Sequence, residues 1–291
     1  MTGAADNVRE WEARGRRITV DDRSVWVLDV PAADEQGLDP LLVLHGFPSC
    51  SYDWRLVLDA LGAHRRVVAV DFLGFGLSDK PDLRYSMRLQ ADVVEGVARA
   101  LGLTSVAMLT HDMGDTVGGE LLARSLEGTL PFEVSERVLT NGSIYIAMAQ
   151  LTNGQKLLLS LDDAPTDLVV ADGYKRGLEG TFSAKSVVAD DELEAQWLLA
   201  ERNGGNRLLP RTIRYIEDRR AEERRFTGAI ETHASPLAVV WGADDPIAVL
   251  AMTDELVRAR PGTPVTVLEG VGHYPMLESP TTFAQAVTNS L

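Results

Sequence analysis

Short apolar runs recur along this chain, each closed by a glycine-rich or polar turn and most followed by a stretch with helical spacing. Leu41–Leu44, Arg66–Val70, Ser105–Leu109, Arg137–Thr140, Leu237–Trp241 and Val265–Leu268 are such runs. Apolar runs of about four to eight residues bounded by turn residues read as buried strands. Strands that alternate with helices predict a mostly parallel sheet with helices on both faces. Ahead of them, Arg17–Val20 and Ser24–Val30 flank Asp21-Asp22-Arg23, which predicts an antiparallel hairpin.

The rhythm stops between Ile144 and Thr227. That stretch reads as helical pieces interrupted at Asn153-Gly154, Pro165, Gly173, Gly177, Gly180, Asn203-Gly204-Gly205 and Pro210. Strand-like runs resume after it, so it predicts a helical cap inserted into one α/β core. The expected organisation is core from 1 to 143, cap from 144 to 227 and the rest of the core from 228 to 291.

Composition narrows the partners. Apolar residues make up 45% of the 291 positions, enough to cover both faces of a sheet. The formal charge of −15 predicts neither a nucleic-acid nor an anionic-membrane partner. The arginines between Arg211 and Arg225 are interleaved with Glu217, Asp218, Glu222 and Glu223, the pattern of a salt-bridged helix face. Cys50 is the only cysteine and reads as packing. With no signal-like or membrane-spanning run, the expectation is a cytoplasmic protein. No zinc spacing or cofactor motif occurs, so no metal and no cofactor are expected. A homodimer is left open.

Candidate chemistry gathers at the strand ends, where parallel sheets place their ligands. The run from Ser105 ends in His111-Asp112-Met113-Gly114. In the strand–turn–helix elbow of G-x-S-x-G, a serine nucleophile occupies the position that Asp112 takes here. A carboxylate there attacks a carbon bearing a leaving group and forms an alkyl ester that must then be hydrolysed. That chemistry points to epoxide or carbon–halogen substrates. Asp112 as a simple helix N-cap is the plainer reading of the same residue.

His273, after the last strand, is placed to activate water. Asp245, after the strand before it, is placed to hold the imidazole, and Asp244 is expected to face solvent. The order Asp112, Asp245, His273 matches nucleophile, acid, histidine in the elbow enzymes. The N–H groups of Phe47 and Met113 are the expected oxyanion donors. His45, His64, His111 and His233 read as structural.

Leu44-His-Gly-Phe-Pro48, Asp71-Phe-Leu-Gly-Phe-Gly76, Thr110-His-Asp-Met-Gly-Asp115 and Val271-Gly-His-Tyr-Pro275 resemble the α/β-hydrolase branch of epoxide hydrolases and haloalkane dehalogenases. Within it the similarity extends to the mesoderm-specific transcript proteins, through Ser51-Tyr-Asp-Trp54, Glu120-Leu-Leu-Ala-Arg124 and Arg214-Tyr-Ile-Glu-Asp-Arg219. Epoxide hydrolases of this branch set two cap tyrosines against the opening oxygen. The resemblance implies Tyr215 in that role, with Tyr174 as its partner and Tyr145 in reserve. Haloalkane dehalogenases carry side-chain donors where this chain has Met113 and Phe47, which have none. A dehalogenase here would need other donors, such as Trp241 or Trp197.

The expectation is therefore hydrolysis of a small hydrophobic epoxide, with Met113, Phe47, Phe72, Leu73 and Phe75 forming an apolar pocket. A dehalogenase is the main alternative, an esterase or C–C hydrolase a weaker one. A non-catalytic ligand sensor on the same scaffold is the reading outside enzymology.

Overall fold

The computed structural model describes residues 3–291. Eight strands form one sheet: Arg16–Val20 (β1), Arg23–Val30 (β2), Leu41–Leu44 (β3), Val67–Val70 (β4), Ser105–His111 (β5), Glu133–Thr140 (β6), Leu237–Gly242 (β7) and Val265–Leu268 (β8). Their spatial order is β1-β2-β4-β3-β5-β6-β7-β8, and β2 alone runs against the others. The hairpin turns on Asp21 and Asp22 with φ of 46° and 63°, the left-handed pair that matches the twist of a two-residue hairpin. β3, β4 and β7 are buried along their whole length, as continuous apolar runs in a covered parallel sheet should be. β6 starts four residues earlier than its apolar run, because Glu133–Glu136 pair with β5 despite their polarity.

The helices are Ala4–Arg14 (α1), Leu58–Leu61 (α2), Met87–Leu101 (α3), Met113–Leu126 (α4), Asn153–Ser160 (α5) and Ala171–Glu179 (α6). They continue with Asp190–Glu201 (α7), Leu209–Thr212 (α8), Tyr215–Thr232 (α9), Ala251–Ala259 (α10), Pro275–Glu278 (α11) and Pro280–Ser290 (α12). α1 was not legible as an element. It buries Trp11 against Trp26 and Tyr52, at ring separations of 5.2 and 5.7 Å. Among the described residues no helix is long and apolar enough to cross a membrane.

Between β6 and β7 the chain runs as helices joined by loops. Pro165 and Gly180 interrupt the helices as expected, between α5 and α6 and at the end of α6, but three other sites do not. Asn153 and Gly154 open α5 behind a capping box on Thr152 and Gln155, and Gly173 and Gly177 lie inside α6. The expected break at Asn203-Gly204 is present, both residues with positive φ, between α7 and α8. Residue 227 falls inside α9, whose later turns lie along α4 so closely that a Cβ on Gly119 would meet the Phe226 carbonyl oxygen at 2.8 Å. The charged residues of this segment pair chiefly with other parts of the chain: Asp218 with Arg84, Glu222 with Arg88, and Arg225 with Glu120 and Glu127. Arg219 is buried, not on a solvent face.

Candidate active site

β5 ends in His111 and α4 begins at Met113, leaving Asp112 alone in the turn with φ 48° and ψ −111°. A non-glycine residue held there costs roughly 1–3 kcal/mol, tolerated where the surroundings enforce it. Two glycines make the turn fit. A Cβ on Gly114 would lie 2.5 Å from the Leu44 carbonyl oxygen, and one on Gly46 would lie 2.6 Å from the Asp112 Cβ. Asp112 occupies the N-cap position of α4, yet its side chain makes no capping bond. Instead its Oδ1 accepts a hydrogen bond from the Phe47 N–H at 2.8 Å. The N-cap explanation of this aspartate therefore fails.

His273 approaches from the loop after β8. Its Nδ1 donates to Asp245 Oδ2 at 2.8 Å, and its Nε2 lies 3.9 Å from Asp112 Oδ2, beyond hydrogen-bond reach. All three side chains are buried. Burial works against a charged imidazole, but Asp245, through charge and hydrogen bond, and then Asp112 outweigh it and raise the His273 pKa to about 9.

Asp245 is an acceptor four times over. Ile247 and Ala248 N–H groups donate to Oδ1 at 2.7 and 3.0 Å, and Asn141 Nδ2 and His273 donate to Oδ2, each at 2.8 Å. Asn141 was missed as a site residue. It sits at the end of β6 with φ 49°, and its Oδ1 accepts from the Gly242 N–H at 2.9 Å. It thus ties three strand ends to the acid. The available signal was its place in Asn141-Gly142, directly after a buried strand.

His111 also does more than shape the turn. Its Nε2–H donates to the His273 carbonyl at 2.8 Å, and burial first of all drives its pKa down to about 3, so it is a neutral donor fixing the catalytic loop. His45 is structural as expected, with Nδ1 donating to the Gly46 carbonyl and Nε2 accepting from the Phe72 N–H. Asp244 pairs with Lys185 at 2.9 Å, away from the imidazole. Met113 opens α4 and is buried, with its backbone N–H at the helix start beside Asp112.

The tyrosines separate. Tyr215, at the start of α9, is buried with its ring 5.7 Å from that of Phe47, and the Arg219 guanidinium lies 5.0 Å from its ring centre. Its hydroxyl carries no hydrogen bond among the described residues. Burial, then Asp112, push its pKa above the ordinary phenol value. Tyr174, inside α6, reaches the Pro48 carbonyl at 3.4 Å and packs on Trp197. Tyr145, the reserve choice, has its hydroxyl engaged, donating to Glu231 at 3.0 Å.

A cavity of about 170 Å³ opens from His273, Phe47 and Pro48 toward α5 and α6. It is apolar, as expected, but of the five residues expected to form it only Phe47 reaches its wall. Phe72 and Leu73 pack into the core and Phe75 packs edge-on to Phe47. The cap supplies most of the lining instead. Trp241, the first alternative halide donor, spends its indole N–H on the Ala248 carbonyl at 2.9 Å. Trp197 is not on the cavity wall.

Residues 41–286 match a family described as the alpha/beta hydrolase family. The chain belongs to the alpha/beta hydrolase family. Among its relatives in this family, the Mycobacterium tuberculosis protein LipZ is 40% identical over 287 residues, spanning 98% of each chain. The mesoderm-specific transcript homolog protein of Bos taurus is 35% identical across 94% of this chain and 82% of its own. The serine hydrolase CarC, involved in carbazole degradation, superposes with a TM-score of 0.74 at 19% identity. That match covers 94% of this chain and 97% of CarC, and shows the shared fold alone.

Proposed function

We propose that this alpha/beta hydrolase family member opens a hydrophobic epoxide to a vicinal diol through an ester on Asp112. The reading rests on one observation above the rest. Asp112 sits in a strained elbow, with Oδ1 held by the Phe47 N–H and Oδ2 turned toward a histidine that is itself held by Asp245. In the first step Asp112 Oδ2 bonds to an oxirane carbon. The ring C–O bond breaks, its electron pair stays on oxygen, and that oxygen takes a proton from Tyr215, assisted by Tyr174. In the second step His273 Nε2 takes a proton from water, whose oxygen adds to the Asp112 carboxyl carbon. The negative charge then falls on Oδ1, against the Phe47 and Met113 N–H groups. Collapse of this intermediate breaks the ester C–O bond, and the departing alkoxide takes the proton from His273 to complete the diol. The proton left on the Asp112 carboxyl returns to the Tyr215 phenolate, restoring both groups.

Tyr215 carries the choice of epoxide over halide. Tyr215 is buried, its hydroxyl makes no hydrogen bond among the described residues and it feels the charge of Asp112, while Met113 and Phe47 have no side-chain donor for a departing halide and Trp241 has spent its own. Mass spectrometry of His273→Ala after incubation with styrene oxide and, separately, 1-bromobutane tests the proposal. The expected result is an adduct on the Asp112 peptide that retains the styrene oxide oxygen. An adduct from the bromide alone would turn the reading to dehalogenation. No adduct from either would sink the ester mechanism.

A further inference from the structure

Among the described residues, three of the eight large apolar side chains left exposed lie together on the wall of this one cavity: Leu157, Leu168 and Val170, exposed by 61%, 70% and 57%. Scattered exposed leucines need no explanation, but a group continuous with a cavity that reaches His273 does. Gly154, Gly173 and Gly177 line the same cavity, and a Cβ at either of the last two would meet nothing within 4 Å. They are four residues apart in α6, hence on one helix face, and they leave that wall smooth.

Several polar groups on the wall away from His273 are engaged locally. Thr152 Oγ1 accepts from the Gln155 N–H at 3.1 Å, Gln155 Oε1 accepts from the Thr152 N–H at 2.9 Å, and Thr181 Oγ1 donates to the Leu178 carbonyl at 2.6 Å. Among the described residues the wall holds no Asp, Glu, Lys or Arg. Its volume is near that of a cavity of about 150 Å³ that takes up one benzene molecule, so roughly six carbons fill it. A longer chain must leave across the exposed apolar mouth.

We infer that the substrate carries a long, unbranched and uncharged hydrocarbon tail, which runs along α6 and leaves over Leu157, Leu168 and Val170. The inference deepens the epoxide proposal by naming the substrate class, but the tail site does not depend on the reaction. A carboxylate at the far end of the tail finds no Lys or Arg on the wall, whose one cationic group, His273, lies at the reacting end, and the protein's net charge of −15 repels it.

The test compares binding of 1-hexanol and 1-decanol by calorimetry, in the native chain and in the triple variant Leu157→Ser, Leu168→Ser, Val170→Ser. Each fully buried methylene is worth about fourfold in affinity, so four more give at most about 250-fold. With the tail only partly covered at the mouth, the expected preference for decanol is about 30-fold. In the variant that ratio is expected to fall about tenfold, since exposed positions can change without disturbing the core. An unchanged ratio, or 10-hydroxydecanoate binding as tightly as 1-decanol, would overturn the inference.

Turnover of 1,2-epoxyhexane and 1,2-epoxydecane separates the two claims. Alcohols that follow the expected pattern while neither epoxide is consumed would leave the tail site standing and the epoxide reading lost. Epoxides consumed at equal efficiency whatever their length would do the reverse.

Discussion

His273 faces two demands that pull in opposite directions. Its neighbours keep it protonated up to about pH 9, whereas the second step of the proposed reaction needs it neutral. Asp112 resolves the conflict, because it is one of the charges that hold the proton and its charge vanishes when it becomes an ester. Alkylation should therefore lower the imidazole pKa at the moment a base is required. Asp112→Asn mimics that loss, and an imidazole NMR titration of the variant should show the His273 pKa below about 9. An unchanged value would mean that Asp245 alone sets it. The sign for stability follows as well. A histidine whose folded pKa is raised contributes stability fully present below its unfolded value near 6.5, and loses it as pH rises through about 9. The acid limb of ester hydrolysis, read in single turnover, should lie lower than the resting pKa.

At the scale of elements, α6 shows how far a sequence can be read. The buried strands and the turns that close them were legible, because apolar runs and glycine punctuation follow directly from burial and backbone sterics. So were Asp112, Asp245 and His273, each at a strand end. The cap was read poorly for a physical reason. Gly173 and Gly177 look like helix breakers, since glycine in a helix interior costs up to about 1 kcal/mol relative to alanine. In the structure both sit within α6 and clear space for the cavity. Sequence alone does not distinguish a glycine that ends a helix from one that vacates a wall, and the same holds for Asn141, whose role needs three strand ends in place. Gly177→Ala should therefore raise the melting temperature by roughly 2–4 °C, as the helix gains what glycine withholds. The added methyl enters the cavity, so kcat/KM for bulky styrene oxide should fall relative to a linear epoxide. A destabilised variant would show that Gly177 is needed for the backbone and not for space.

Across the whole molecule, the helices between β6 and β7 are joined to the rest of the chain by a polar seam that includes the buried Asp53. Asp53 follows β3 in the core and is buried. Its carboxylate accepts from Ser49 Oγ and, across the seam, from Gln196 Nε2 of α7 at 2.7 Å. Arg55 pairs with Glu192 of α7 beside it. Burial raises the Asp53 pKa to about 7, against the pull of the Ser49 and Gln196 hydrogen bonds and of Arg55, and with the push of Glu192. The unfolded chain would give this group a pKa near 3.9, so the folded state binds the proton more tightly. Its contribution to stability is then fully present below about pH 3.9 and is lost as pH rises through about 7. Asp53→Asn keeps the shape of the side chain and removes the titration. Its melting temperature should exceed that of the native chain by roughly 2–4 °C at pH 8, and the gap should close toward pH 5. An equal offset at both values would assign the effect to lost hydrogen bonds, with no part for the buried charge. Because Gln196 and Ser49 are the groups that lose most when Asp53 changes, hydrogen exchange in α7 should follow the same pH dependence. Exchange in the strands under Asp112 should not, since they pack on the far side of the seam from the cap.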